Sequence, residues 1–162
     1  MRDFYMEQLV KRRNMTRNII FSILLLAGAA LTIPLIKISL IFLVVPLFFV
    51  LMAIVYYKST DVEFEYIYFN GNIDIDKIVA KKRRKHLVSA GFHEVEVIAP
   101  TGSLEIQQYR KIKKTNYSSR KKGIQTYQMV VNHKGKRARI VFEPKEELLT
   151  EMKLAAPRKV FF

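Results

Sequence analysis

The sequence contains no cysteine and little else from which a catalytic or metal site is built. Without cysteine, disulfides, thiolate metal sites and thiol nucleophiles are excluded. The histidines His86, His93 and His133 do not fall at the spacing that places two metal ligands on one face of a helix. The isolated Gly102 and Gly123 give no glycine-rich loop that cradles a phosphate. We therefore predict a protein that is not an enzyme and has no cofactor.

Acidic residues are also few. The chain has 14 Asp and Glu against 28 Lys and Arg, so its 162 residues carry a net charge of +14. The basic residues are concentrated in three clusters, at 81–85, 110–122 and 134–139. Such an excess of positive charge predicts contact with an anionic surface or partner.

Charged residues are nearly absent from residues 19–57, where Lys37 is the only one. A helix needs about 20 apolar residues to cross about 30 Å of hydrocarbon. Lys37 and the neighbouring Pro34 divide the run into two stretches of about that length. We predict two transmembrane helices, over residues 19–36 and 38–57, joined by a very short turn.

Two other interpretations of the apolar run are less favoured. A cleaved signal peptide has a shorter apolar region, of about 7–15 residues, that ends at small residues. Residues 27–30 are small, but more apolar chain follows them directly. A helical hairpin in the core of a soluble protein normally carries a polar face, and these stretches have none.

The flanks of the apolar run are basic, whereas its central turn carries only Lys37. Because Lys and Arg accumulate in the cytoplasmic loops of membrane proteins, both termini are predicted to be cytoplasmic in a multi-pass protein of the cell membrane. Tyr56 and Tyr57 suit the aromatic belt at the bilayer surface. Residues 1–18, which mix aromatic and charged side chains, are predicted to be a cytoplasmic segment forming a short interfacial helix.

The remaining residues, 58–162, are predicted to form one cytoplasmic β-rich domain. Residues 62–69 and 72–80 are rich in aromatic and β-branched residues, and the Asn70-Gly71 dipeptide between them favours a two-residue β-hairpin. Pro144 and the glutamates after it begin a helix that is predicted to end near Ala155. Further strands are predicted at 85–90, 94–99, 124–132 and 137–142, with a short strand or a piece of helix at 103–109 and a loop at 110–123.

This order of six or seven antiparallel strands and one C-terminal helix resembles the pleckstrin-homology-like (PH-like) fold of bacterial proteins. The resemblance implies an α+β membrane protein: a transmembrane helical hairpin followed by a small PH-like β domain closed by its last helix. The apolar face of that helix is predicted to be Leu148, Leu149 and Met152.

A second resemblance rests on local sequence. The stretch FEYIYFNGNIDIDKIVAKKRRK, the segment VIAP at 97–100 and the opening FYMEQLV at 4–10 are similar to a family of uncharacterised small two-helix membrane proteins of Clostridia-type Firmicutes. That family implies the two-helix architecture and supplies no activity and no site residues.

Acidic residues gather on the predicted hairpin. If Asn70-Gly71 is a two-residue turn, Glu65 pairs with Asp76, and Glu63 and Asp74 lie on the same face. Such a face can hold a divalent metal, or it can be neutralised by the basic run that follows. We favour neutralisation, because no loop with ligand spacing accompanies the acids. One more loop residue would instead place Glu65 opposite Lys77.

The basic clusters are the better functional candidates. A membrane-tethered domain lies close to anionic lipids, where each Lys or Arg contributes about 1 kcal/mol. The predicted contact residues are Lys81, Lys82, Arg83, Arg84, Lys85, Arg110, Lys111, Lys113, Lys114, Arg120, Lys121 and Lys122.

Two classes of function follow from these residues. The first is a binding module, anchored in the bilayer, for anionic lipid headgroups or an acidic partner. The alternative is a structural or assembly subunit that docks on other membrane proteins. Nucleic-acid binding is disfavoured by the membrane tether, and a transporter by the absence of acids and histidines in both spans.

Overall fold

The computed structural model describes residues 4–133 and 135–162. Residues 1–3 of the predicted interfacial segment and Lys134 of the third basic cluster lie outside the described residues. Four helices are described: α1 (Met15–Ile38), α2 (Val44–Ser59), α3 (Leu104–Gln107) and α4 (Glu146–Ala155). The strands are β1 (Tyr5–Lys11), β2 (Val62–Phe69), β3 (Asn72–Val79), β4 (Arg83–Gly91), β5 (Val95–Pro100), β6 (Lys114–Asn116), β7 (Tyr127–His133) and β8 (Lys136–Phe142).

The strands form two four-stranded sheets, in the orders β1-β2-β3-β4 and β5-β7-β8-β6. All neighbours are antiparallel except β6 and β8, which are parallel. The predicted fold class, two apolar helices followed by an antiparallel β domain with a C-terminal helix, is confirmed. The described strands number eight rather than six or seven, because β1 and β6 were not anticipated.

The predicted interfacial helix at residues 1–18 is wrong, because Tyr5–Lys11 is strand β1. It pairs with β2 along its whole length, from Tyr5 opposite Phe69 to Lys11 opposite Glu63. Its alternate residues Gln8 and Val10 are buried, as the two-residue period of a strand requires. The helical hairpin is therefore inserted between two neighbouring strands of one sheet, and a domain that begins at residue 58 lacks β1.

The two helices of the hairpin meet at Ser39 rather than at Lys37. Ser39 has extended backbone angles (φ −168°, ψ 144°), and a 3₁₀ turn at Leu40–Leu43 leads into α2. Pro34 lies inside α1, and Lys37 lies in its last turn, where a cation complements the helix dipole. A Cβ on Gly28 of α1 would lie 3.2 Å from Cβ of Phe49, so the helices pack closely there.

Two segments of the described chain, Met15–Ile38 and Leu40–Ser59, are long and apolar enough to cross a membrane. Only 6% and 11% of their most apolar windows are buried within the protein. The core helix of a soluble protein would instead be mostly buried.

The main hydrophobic core lies between the two sheets, and α4 covers it. Phe64, Tyr66 and Phe142 are almost completely buried there. The predicted apolar face of the last helix is confirmed, since Leu148, Leu149 and Met152 are all buried. Beyond α4, the chain returns along the edge of the second sheet, where the N–H of Ile98 donates to the carbonyl of Lys159 (2.7 Å).

Tyr66 joins the two sheets through its hydroxyl. This oxygen donates to the carbonyl of Tyr117 (2.7 Å) and accepts from the N–H of Glu143 (3.3 Å). The ring of Tyr66 also packs edge-on against Phe142, with centroids 5.9 Å apart. A polar link of this kind inside the core specifies how the sheets meet.

Tyr66→Phe should lower the free energy of unfolding by about 1–3 kcal/mol, because two partly buried backbone groups lose their hydrogen-bond partner. The measurement is chemical unfolding of the detergent-solubilised protein. Tyr5→Phe is the matched control, because Tyr5 is 58% exposed. Equal stability of the two variants would contradict the role of the buried hydroxyl.

Candidate functional site

The helical hairpin leaves the β domain at one end, where several chain segments meet. We call this the hairpin end and define it by Arg12, Arg13, Asp61 and Ala80. The N–H of Arg13 donates to the carbonyl of Ser119 (2.8 Å), and that of Ala80 to the carbonyl of Asp61 (2.8 Å). The start of α1, the end of α2, the β3–β4 turn and the loop after β6 are thus held together.

The β3–β4 turn is made from unusual residues. Ala80 and Lys81 both have left-handed φ values, 53° and 55°, and the N–H of Lys82 donates to the carbonyl of Val79 (3.1 Å). Two-residue turns with this backbone normally use Asn-Gly, because other side chains cost about 1 kcal/mol or more per residue there. Lys81 and Lys82 also line a cavity of about 530 Å³ beside Tyr57 of α2. The turn therefore presents two lysines beside the last turns of the hairpin.

Strand β4 begins within the predicted basic run 81–85 and divides the run's last three residues between the two faces of the first sheet. On the outer face, Arg84 Nη2 lies 2.6 Å from Glu65 Oε2, and Arg84 Nη1 lies 3.8 Å from Asp76 Oδ2. His86 Nδ1 also lies 2.8 Å from Asp76 Oδ1. The predicted pairing of Glu65 with Asp76 is confirmed, and the basic run neutralises these two acids through Arg84. Glu63 instead lies 4.0 Å from Lys11 Nζ, outside that run. Arg84 is therefore already engaged by carboxylates.

The inner face of the same sheet carries cations without such partners. Lys77 lies directly opposite Lys85, and Arg83 precedes Lys85 by two residues, so all three side chains share one face. Within residues 4–133 and 135–162, no carboxylate oxygen lies within 4.0 Å of these three cations or of Arg12. Like charges directly opposite one another destabilise a sheet, so an anion there would stabilise it.

Arg12 adds a fourth cation to this face. Its guanidinium lies 5.5 Å from the ring centre of Phe64, the residue that pairs with Lys77. Burial, with the nearby charge of Arg120, lowers the pKa of Arg12 below its usual value. We call Arg12, Lys77, Arg83 and Lys85 the inner basic surface.

The predicted cluster at 110–122 does not form one patch. Arg120, Lys121 and Lys122 follow Ser119 at the hairpin end, and Arg120 itself has a left-handed φ of 58°. Lys114 begins β6, opposite Arg139. The segment with Arg110, Lys111 and Lys113 lies elsewhere, because its neighbours Tyr109 and Ile112 pack on a small second core with Val97 and Val130.

Two members of the inner basic surface, Arg12 and Lys77, were missed from the sequence. Arg12 follows β1, a strand that was not predicted. For Lys77, the Asn70-Gly71 turn predicts the residue opposite it on β2. The sequence does not predict the residue opposite it on β4. A register shift at Ile75/Asp76 brings Lys85 opposite Lys77. In the described part of the chain, no group of three or more acidic or histidine side chains is placed to hold a metal ion.

A buried ion pair fixes the hairpin to the domain. Arg17 Nη1 in the first turns of α1 lies 2.8 Å from Asp61 Oδ1, with side chains only 8% and 15% exposed. The guanidinium of Arg17 also lies 4.4 Å from the ring centre of Tyr57. Burial alone would raise the pKa of Asp61, but hydrogen bonds and charges from Arg17 and Lys11 outweigh it and hold that pKa below its usual value.

Comparison with known proteins agrees with this architecture. Residues 2–162 match the family described as bacterial PH-like domain (DUF6106). No curated protein and no solved structure matches the chain. The resemblance to small membrane proteins of Clostridia-type Firmicutes is not tested by this match and stays a prediction. Two sheets, a closing C-terminal helix and a match over almost the whole sequence place this chain in the bacterial PH-like domain family.

Proposed function

We propose that this protein is a membrane-anchored binding module that is not an enzyme. Its helical hairpin spans the cell membrane with both termini in the cytoplasm, and its PH-like domain contacts anionic lipid headgroups of the leaflet at the hairpin end. PH-like domains are often binding modules, which supports this class of function.

The observation that carries the proposal is the inner basic surface and its position. Lys77 and Lys85 are direct cross-strand neighbours with the same charge, and Arg83 lies beside them. These cations lie on the strands that end at the hairpin, so a spanning hairpin would bring them toward lipid headgroups. Lys81 and Lys82, beside α2, would lie at the same level. Phosphate groups would supply the negative charge that the described residues do not offer to these side chains.

The proposal predicts that the full-length protein in nanodiscs prefers phosphatidylglycerol to phosphatidylcholine among the lipids in contact with it. Each cation near an anionic surface contributes about 1 kcal/mol, so replacing Lys77, Arg83 and Lys85 by Gln should remove most of that preference. The measurement is the motionally restricted fraction of spin-labelled lipid of each type. High salt should also reduce the preference, because these charges are partly exposed.

The matched control replaces Arg110, Lys111 and Lys113 by Gln. It removes the same three charges, but from a segment on the second small core rather than on the inner basic surface. The control should keep the lipid preference. If both triple variants lose it equally, only total charge matters and the proposed surface is wrong.

A further inference from the structure

A cavity lies at the end of the domain opposite the hairpin. The cavity measures about 680 Å³ and lies between the β2–β3 turn and α4. Its walls include Phe4, Tyr68, Asn72, Phe92, His93 and Glu151. Strand β2 has eight residues, so this far end lies about 25 Å from the hairpin end. A ligand here would come from solution rather than from the bilayer.

Aromatic rings form a continuous wall of the cavity. The ring centres of Phe4 and Tyr68 are 6.0 Å apart, and those of Tyr68 and Phe92 are 5.8 Å apart, all at tilted angles. Asn70 positions the first of these rings, because its side-chain oxygen accepts from the N–H of Phe4 (3.1 Å). Clustered aromatic rings attract cations through their negative faces.

Carboxylates complete the site. Glu151 lines the cavity, and Glu147, one helical turn earlier, lines an adjoining hollow with Glu151 and Phe4. In the described chain, neither glutamate has a basic nitrogen within 4.0 Å. Like charges four residues apart weaken a helix, so a cation beside them would be favourable. This local negative charge is notable in a protein whose net charge is +14.

The hydroxyl of Tyr68 responds to the same environment. Burial raises the pKa of Tyr68, and the negative charge of Glu151 acts in the same direction. The phenol therefore remains a neutral hydrogen-bonding group beside the carboxylate at physiological pH.

We propose that this cavity binds a small organic cation carrying an ammonium group, with aromatic rings around its apolar part and Glu151 facing its charge. An anion would meet the negative charge of Glu147 and Glu151 and is disfavoured. A purely apolar ligand would bring no positive charge to Glu151. The site is separate from the inner basic surface and does not depend on lipid binding.

The test titrates the full-length protein in detergent micelles with choline and with 3,3-dimethylbutan-1-ol, its uncharged isostere. Binding is followed by NMR of labelled leucine methyl groups, since Leu154 lines the cavity. Choline should shift the Leu154 signals in a saturable way, and the isostere should bind at least several-fold more weakly. Glu151→Gln should weaken choline binding roughly tenfold, because the coulombic attraction between the carboxylate and the quaternary ammonium is lost.

Glu105→Gln is the matched control, because it removes one negative charge from α3 and should leave choline binding unchanged. Phe92→Leu should weaken binding of choline more than binding of the isostere. A cooperative thermal unfolding transition in each variant establishes that the variant is folded. Absence of saturable choline binding, or equal binding of choline and its isostere, would overturn the proposal, whatever the outcome of the lipid experiment.

Discussion

A variant in which Asn-Gly replaces residues 13–61 should fold into a soluble β domain, whereas the fragment 62–162 should not fold. Lys11 lies opposite Glu63, so Arg12 and Val62 become the residues that flank a two-residue turn. Their backbones already meet, since the N–H of Arg12 donates to the carbonyl of Val62 (2.9 Å). Asn-Gly favours the backbone of such a turn.

The fragment should fail because β1 contributes more than one edge of a sheet. Val10 is part of the main core, and Gln8 links β1 to the start of α4. The side chain of Gln8 donates to the carbonyl of Glu143 (2.7 Å) and accepts from the N–H of Lys145 (2.8 Å). Without β1 these backbone groups and the edge of β2 lose their partners.

Circular dichroism and the dispersion of amide NMR signals distinguish the Asn-Gly variant from the fragment. Adding a peptide of residues 4–12 to the fragment should restore part of the folded signal. Cooperative unfolding of the fragment at the same temperature as the Asn-Gly variant would contradict the role of β1.

Breaking the Arg17–Asp61 pair should produce the second large effect. Removing one partner leaves the other charge buried, so Arg17→Met or Asp61→Asn should each lower the free energy of unfolding by about 3 kcal/mol. The double variant should recover most of the loss, because neither charge then remains buried alone. Arg13→Met is the control, since Arg13 is exposed and binds Ser119 through its backbone.

This pair also gives stability a defined pH dependence. The pKa of Asp61 is lowered in the folded protein, so its stabilising contribution is complete above the ordinary carboxyl value of about 3.9. It is lost as the pH falls through the lowered value and Asp61 becomes protonated. Asp61→Asn should flatten that part of the acid unfolding profile measured in detergent. If Asp61→Asn left the acid unfolding profile unchanged, the lowered pKa of Asp61 would be contradicted.

Features set by neighbouring residues were predictable from the sequence. The Asn70-Gly71 turn determines the pairing of Glu65 with Asp76 through local backbone preference alone, and the structure has that register. The apolar hairpin was equally clear, because its composition leaves few alternatives. Its turn was misplaced by two residues, since an isolated lysine at a helix end resembles a break.

Features that depend on distant residues were not predictable. Strand β1 has only seven residues and pairs with a partner on the far side of the hairpin, so its own pattern resembled a short amphipathic helix. The register shift at Ile75/Asp76 decides that Arg84 meets the acids while Lys85 faces inward. No sequence pattern separated Arg120 from Arg110, because only tertiary packing places them on different surfaces.

The insertion of the hairpin between β1 and β2 also imposes an order of assembly. During synthesis β1 emerges first, and its partner appears only after both helices have been made. The first sheet therefore cannot close until the hairpin is complete, and each of its β1 contacts spans a long stretch of chain, which slows folding. Until then, β1 presents an unpaired edge beside the nascent helices. A completely folded domain therefore contains a helical hairpin that was synthesised before the first sheet closed.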